Sequence, residues 1–222
     1  MLIYHGSKEI IEKPVFGKGK IHNDYGRGFY CTYHEEMAKE WAVDIDRDGF
    51  ANSYEIDDSG LVVLNLSDKN YTVLSWLAVL LENRVFDTSS QLAEEARQYI
   101  ISNFTPKYKD ADIIIGWRAD DSYFSFAQDF LNGTITYEQL GRAMALGKLG
   151  LQYVLKSKKA FDQIKFAGAV EVQSSEYYQK RKLRDEQARS EYANSKKNPR
   201  KPKSIYITTI LDEEMRPGDD RL

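Results

Sequence analysis

The sequence predicts an α+β fold, on three observations. Short β-type runs are scattered along the chain, strongly apolar-periodic helical stretches are grouped in its middle, and the steady strand–helix alternation of a parallel βαβ sheet is missing.

Taken in order, Leu2-Ile3-Tyr4-His5 is a short β-type run stopped by Gly6-Ser7, which places His5 at a strand end. A loop rich in Gly and Lys follows. Phe29 to Thr32, in the stretch DYGRGFYCT, then read as extended, and HEEMAKEWAVDID has helical spacing. Thr32 and Glu35 match a capping box, with Ala38, Trp41, Ala42 and Ile45 as the buried face of that helix. Strands are expected at 50–56 and 61–66, separated by the turn DDSG. TVLSWLAVLLENRVF and SSQLAEEARQYIISNF read as helices, and DIIIGW as a β-branched strand stopped by Gly116 and the acids Asp120 and Asp121. Helices at about 123–131 and 137–146 precede the glycine-bounded run LQYVLKS and the strand IKFAGAVEV. SEYYQKRKLRDEQARSEYA is a charged helix, KKNPRKPK a linker, and IYITTIL an alternating, β-branched closing strand. The organisation is a body over 1–173, with a mostly helical insertion at about 72–147, and an appendage over 174–222 holding the charged helix, basic linker and closing strand.

The 222 residues are 42% hydrophobic and 29% charged, which describes a globular protein, and no apolar run reaches the length that spans a bilayer. MLIYHGS is too short and polar for a signal peptide, so a cytoplasmic protein with no membrane partner is expected. The single cysteine, Cys31, excludes an internal disulfide and fits a reducing compartment; it reads as a small buried hydrophobe rather than a nucleophile. Residues 179–203 hold ten Lys or Arg against three Asp or Glu, a local charge of +7 on a chain whose net is −3. Such a segment docks on the acidic body, binds an acidic partner such as nucleic acid, or is solvated.

Histidine spacing supplies no zinc helix, GRG at 26–28 is not a dinucleotide fingerprint, and neither a phosphate loop nor a nucleophile elbow is present. Asp120 and Asp121 are open to two readings, helix-start acids or cleft acids. What remains is three ordered pieces: Tyr4-His5-Gly6-Ser7, Gly26-Arg27-Gly28-Phe29-Tyr30 and Gln152-Tyr153-Val154-Leu155.

In that order the pieces resemble the ADP-ribosyltransferase superfamily, in the branch with a His, Tyr, Glu signature. Over nearly its full length, including DIIIGWRADD and YYQKRKLRDEQAR, the chain resembles a bacterial family of that superfamily found beside antitoxin-like genes. The resemblance implies a split antiparallel β core, with 1–173 as the catalytic domain. It implies NAD as the substrate of a glycosyltransferase (pentosyltransferase), without a metal. The expected activity is mono-ADP-ribosyl transfer by a toxin to a protein or nucleic-acid acceptor, with an antitoxin protein as a further partner. Alternatives are a non-catalytic module that binds NAD or ADP-ribose, and an RNA 2′-phosphotransferase-like enzyme.

The resemblance implies His5, Tyr30 and Gln152 as catalytic positions. His5 holds a ribose hydroxyl supported by Ser7, Tyr30 stacks on nicotinamide, and the Gly6 backbone meets the carboxamide. Tyr25, Arg27, Gly28, Asp120 and Asp121 complete the expected NAD contacts, with Arg27 on the pyrophosphate or else facing solvent, and Gly28 allowing the ligand close. Tyr153, by strand alternation, faces away from Gln152. The departure is Gln152 itself: where the signature has glutamate, a neutral amide keeps a hydrogen bond and loses the charge that would stabilise a ribose cation. Glu171 is a fallback carboxylate.

Overall fold

The computed structural model describes residues 1–119, 121–144, 146, 150–197 and 204–222. Its strands are β1 (Leu2–Ser7), β2 (Phe29–Thr32), β3 (Gly49–Ile56), β4 (Val63–Asn65), β5 (Ile113–Trp117), β6 (Leu151–Leu155) and β7 (Ile164–Val172). They form one seven-stranded sheet in the order β4-β5-β6-β2-β1-β3-β7, in which β4 and β5 are parallel and every other neighbouring pair is antiparallel. The join between β2 and β1 is narrow. Its register is the single pair Tyr4–Thr32, whereas β1 runs against β3 from Leu2 to Ser7.

The described helices are α1 (Glu35–Ala42), α2 (Val73–Asn83), α3 (Gln91–Phe104), α4 (Asp121–Leu131), α5 (Tyr137–Ala143), α6 (Lys158–Asp162), α7 (Ser174–Lys196) and α8 (Ile207–Asp212). Hydroxyl caps start several of them. Thr72 accepts from Leu74 N, Ser90 from Ala93 N and Ser157 from Ala160 N, and Thr136 with Gln139 closes a capping box. The mixed α/β class and its largely antiparallel sheet agree with the sequence reading.

Three local expectations are corrected. Thr32 does not cap α1: it pairs with both Tyr4 and Gln152 as the last residue of β2, and His34 occupies the N-cap without a side-chain bond. Ile45 lies beyond the end of α1, in the Asp44–Arg47 turn, and is 63% exposed. The expected closing strand is helix α8, because Ile207 and Ile210, both fully buried, stand three apart on one helical face packed near α3. The strand expected within 72–147 is β5, which lies inside the sheet, and α6 was not anticipated.

The two sheet faces are covered differently. Tyr4, Tyr30, Gly116, Gln152 and Val154 point to the face that packs α1, α2 and the helices beyond, where the largest apolar cluster lies. Ile3, Phe29, Cys31, Tyr54, Tyr153 and Leu155 point to the other face, closed by Ala160 and Phe161 of α6. Helix α2 is buried from Val73 through Leu81, so its run of apolar residues is interior rather than amphipathic. No described helix is long and apolar enough to cross a membrane.

Candidate functional site

On the helical face, β2 and β6 form the floor of a cavity of about 560 Å³. That is within the size of small-molecule sites, roughly 300–1,000 Å³. The antiparallel register sets Tyr30 opposite Val154 and Thr32 opposite Gln152, so Tyr30 and Gln152 stand on one face of adjacent strands. Both line the cavity, together with Asp24, Trp41 and Ala119. Arg84 and Arg118 form part of its wall, the latter over the Trp41 ring at 4.1 Å to the centroid.

The remaining wall comes from α7. Tyr178, Arg181, Lys182, Asp185 and Arg189 recur three or four residues apart, and that stripe faces the cavity. Contacts of Arg184 and Tyr192, and a further bond of Arg181, dock the helix on the body. Arg184 is ion-paired with Glu40 of α1, Arg181 donates to the Val43 carbonyl at 3.1 Å, and Tyr192 donates to Asp129 at 2.7 Å and stacks on Phe126. The described part of the basic 179–203 segment is thus docked on the protein's own body, and 198–203 lies outside the described residues.

Asp24 is the buried carboxylate of the cavity, 5% exposed. Its Oδ2 accepts from the Ala119 amide at 2.8 Å and from Gln152 Nε2 at 2.9 Å, and its Oδ1 from Arg84 at 3.0 Å. Burial pushes its carboxyl up, and the Ala119 and Gln152 donors and the Arg84 and Arg118 charges offset this only in part.

The glycine-rich loop over 24–28 is fastened around the Tyr30 side chain. The Tyr30 hydroxyl donates to the Gly26 carbonyl at 2.5 Å and accepts from the Tyr25 amide at 3.1 Å. Lys156 Nζ donates to the Tyr25 carbonyl and, at 2.6 Å, to that of Arg27; burial lowers this amine to about 8. Gly26 has φ +71°, a left-handed conformation that favours glycine. Tyr25, expected among the NAD contacts, is instead fully buried beneath the site, donates to the Trp117 carbonyl at 2.6 Å and lies outside the cavity lining.

Several expected contacts are placed elsewhere. His5 points to the sheet face opposite Tyr30 and Gln152: its Nδ1 bonds the Tyr30 carbonyl at 2.7 Å and its ring lies 4.3 Å from Phe29, off the cavity wall. Ser7 bonds the Glu9 carbonyl and accepts from Asn52 at 2.8 Å. A Cβ on Gly6 would come within 2.1 Å of the Ala38 carbonyl, so α1 fills the side on which a ligand was expected. On Gly28 it would meet Val154 Cγ1 at 2.7 Å and the Leu155 carbonyl at 2.8 Å, so that glycine lets β6 approach rather than a ligand. Arg27 is exposed and outside the cavity lining. Asp120 lies outside the described residues; Asp121 opens α4, with its side chain also outside the description. Tyr153 faces away from Gln152 as expected, and Cys31 is fully buried with its thiol pushed up. Glu171 is on β7, at the sheet edge farthest from β4, and exposed.

Asp24, Arg84 and Arg118 were not singled out in the sequence, Trp41 was read only as part of the buried face of α1, and the α7 stripe was read only as part of a basic segment. Only the stripe carried a signal, its helical spacing within the charged helix. Among the described residues no group of three or more His, Cys, Asp or Glu is placed to hold a metal.

Residues 1–166 match the model of a family described as "Protein of unknown function (DUF3990)". No curated protein and no solved structure matches the chain. The family match ends within β7, so α7, which closes one side of the cavity, lies beyond it.

Proposed function

The chain belongs to the DUF3990 family, and from its cavity we propose that it is an NAD-dependent mono-ADP-ribosyltransferase acting on a macromolecular acceptor. The observation that carries this reading is the pairing of Tyr30 and Gln152 on one face of β2 and β6, at the floor of an arginine-walled cavity. NAD combines flat rings with a diphosphate. Tyr30, Trp41 and Tyr178 offer aromatic faces, and Arg84, Arg118 and Arg181 offer planar donors suited to phosphate oxygens. The order of the three sequence motifs supports the same reading.

In the proposed reaction the bond between nicotinamide nitrogen and ribose C1′ breaks. Its electron pair leaves with nicotinamide, neutralising the ring, and the ribose becomes a cation. A nucleophile on the acceptor bonds to C1′ and gives up its proton. The protein's task is to hold the leaving ring, fix the ribose and stabilise positive charge. Tyr30 faces the ring, while His5 acts through Tyr30 by holding its carbonyl from the opposite side of the sheet.

The test is incubation of the protein with NAD labelled on the adenylate and with a cell lysate. The expected result is release of nicotinamide and transfer of label to a macromolecule, both reduced at least tenfold in Tyr30→Ala. Binding of NAD without nicotinamide release would assign a non-catalytic binding module instead. Absence of both binding and release would overturn the reading.

A further inference from the structure

We propose that Asp24 is the catalytic carboxylate of this cavity and that Gln152 is the residue that positions it. The inference rests on the transferase reading above and deepens it: the negative charge absent at position 152 is supplied from the loop that precedes β2. Three observations carry it.

First, the two side chains are in direct contact, Gln152 Nε2 donating to Asp24 Oδ2 at 2.9 Å, and both line the cavity. The carboxylate therefore sits one hydrogen bond from the strand position that the sequence pattern marks. Second, its bonding is incomplete. A carboxylate offers about four acceptor positions, and the described donors use two on Oδ2 and one on Oδ1. One position on Oδ1 remains for a ribose hydroxyl. Third, donors and cations converge on the carboxylate. The Ala119 amide, the Gln152 amide and the Arg84 and Arg118 cations favour its charged form, offsetting in part the burial that raises the carboxyl. The charged groups sharing the cavity from other elements are Arg181, Lys182, Asp185 and Arg189 of α7.

In this arrangement the Asp24 carboxylate faces the cation that forms as the C1′–nitrogen bond breaks. The electron pair leaves with nicotinamide and no further reactant is needed. Gln152 makes no bond to the reacting atoms; it fixes the carboxylate against β6.

The experiment measures nicotinamide release from NAD across pH, together with NAD affinity and melting temperature. Variants are Asp24→Asn, Gln152→Ala and the exchange variant Asp24→Asn/Gln152→Glu, which keeps an amide–carboxylate pair with its partners reversed. Asp24→Asn is expected to lose about a hundredfold in release with NAD affinity nearly unchanged, and the exchange variant to regain at least tenfold of that loss. Gln152→Ala is expected to move the acid limb of the pH–rate profile upward, because removing one donor raises the Asp24 carboxyl. That limb is read without needing Asp24→Asn to fold. Wild-type protein that releases no nicotinamide overturns the transferase reading and this inference with it. An active wild type with an equally active Asp24→Asn, or with an unmoved limb in Gln152→Ala, overturns the Asp24 assignment alone.

Discussion

His5 and Tyr30 sit on neighbouring strands with their side chains on opposite faces of the sheet, and His5 Nδ1 bonds the Tyr30 carbonyl at 2.7 Å. Because a carbonyl only accepts, Nδ1 carries the proton and the neutral ring is the tautomer with Nε2 bare. The contact stands where the β1–β2 ladder has already ended at Tyr4–Thr32, so a side chain replaces the next backbone bond.

Burial holds the His5 imidazole below its usual value, against the opposing effect of the Tyr30 carbonyl. Below about pH 6.5 the unfolded chain takes up a proton that the folded ring resists, so stability falls as pH drops through that range. Urea unfolding at pH 7.5 and 5.5 is expected to show a larger loss for wild type than for His5→Asn, whose amide also donates to the carbonyl. Equal losses would remove His5 as the cause.

Lys156 gives a second pH signature of the same origin, in a higher pH range. Its folded value of about 8 lies below the ordinary lysine value of 10.5, so its desolvation cost is fully present below pH 8 and is relieved as pH rises toward 10. Between pH 8 and 10 the melting temperature of wild type is expected to rise relative to Lys156→Met. Hydrogen exchange in that variant is expected to speed up over residues 24–28, which lose their clamp on the Tyr25 and Arg27 carbonyls.

Gly116 and Tyr25 are predicted to be coupled. A Cβ at 116 would lie 2.2 Å from the Tyr25 hydroxyl, which now reaches the Trp117 carbonyl. Gly116→Ala is expected to destabilise by about 1–3 kcal/mol. Adding Tyr25→Phe removes the clashing oxygen, so the double variant is expected to lose less than the sum of the singles in a denaturation cycle. Strict additivity would contradict the packing.

The Arg184–Glu40 ion pair, 17% and 12% exposed at its side chains, fastens α7 to α1. Arg184→Ala strands a largely buried Glu40 and is expected to cost about 3 kcal/mol in urea unfolding. Arg184→Met/Glu40→Leu is expected to recover most of it. The same single variant is expected to weaken NAD binding, since the stripe from Tyr178 to Arg189 on the same helix lines the cavity.

Most elements were legible in the sequence because their patterns are local. The strand at Phe29–Thr32, the helices of 72–104 and the run LQYVL follow from periodicity, β-branching and glycine punctuation. IYITTIL failed because its β-branched residues argue for a strand, while Ile207 and Ile210 also fit a helical turn, and the apolar surface near α3 selects the latter. The site was legible only in part. Tyr30 and Gln152 share a face through the β2–β6 register, which no local pattern encodes, and the Tyr4–Thr32 pairing of β1 with β2 sends His5 to the other side. Asp24 reads as an ordinary loop acid, because its meeting with Gln152 spans 128 residues of chain. Gly6 and Gly28 read as ligand approaches and instead admit α1 and β6, since a glycine signals closeness without saying to what.

The most direct test of the central claim is a crystal structure of the protein grown with NAD. A dinucleotide is expected in the 560 Å³ cavity, its nicotinamide against Tyr30 and its ribose within hydrogen-bond reach of Asp24. NAD seated instead in the 320 Å³ cavity beside Tyr71, Trp117 and Tyr137, or no NAD at saturating concentration, would contradict it.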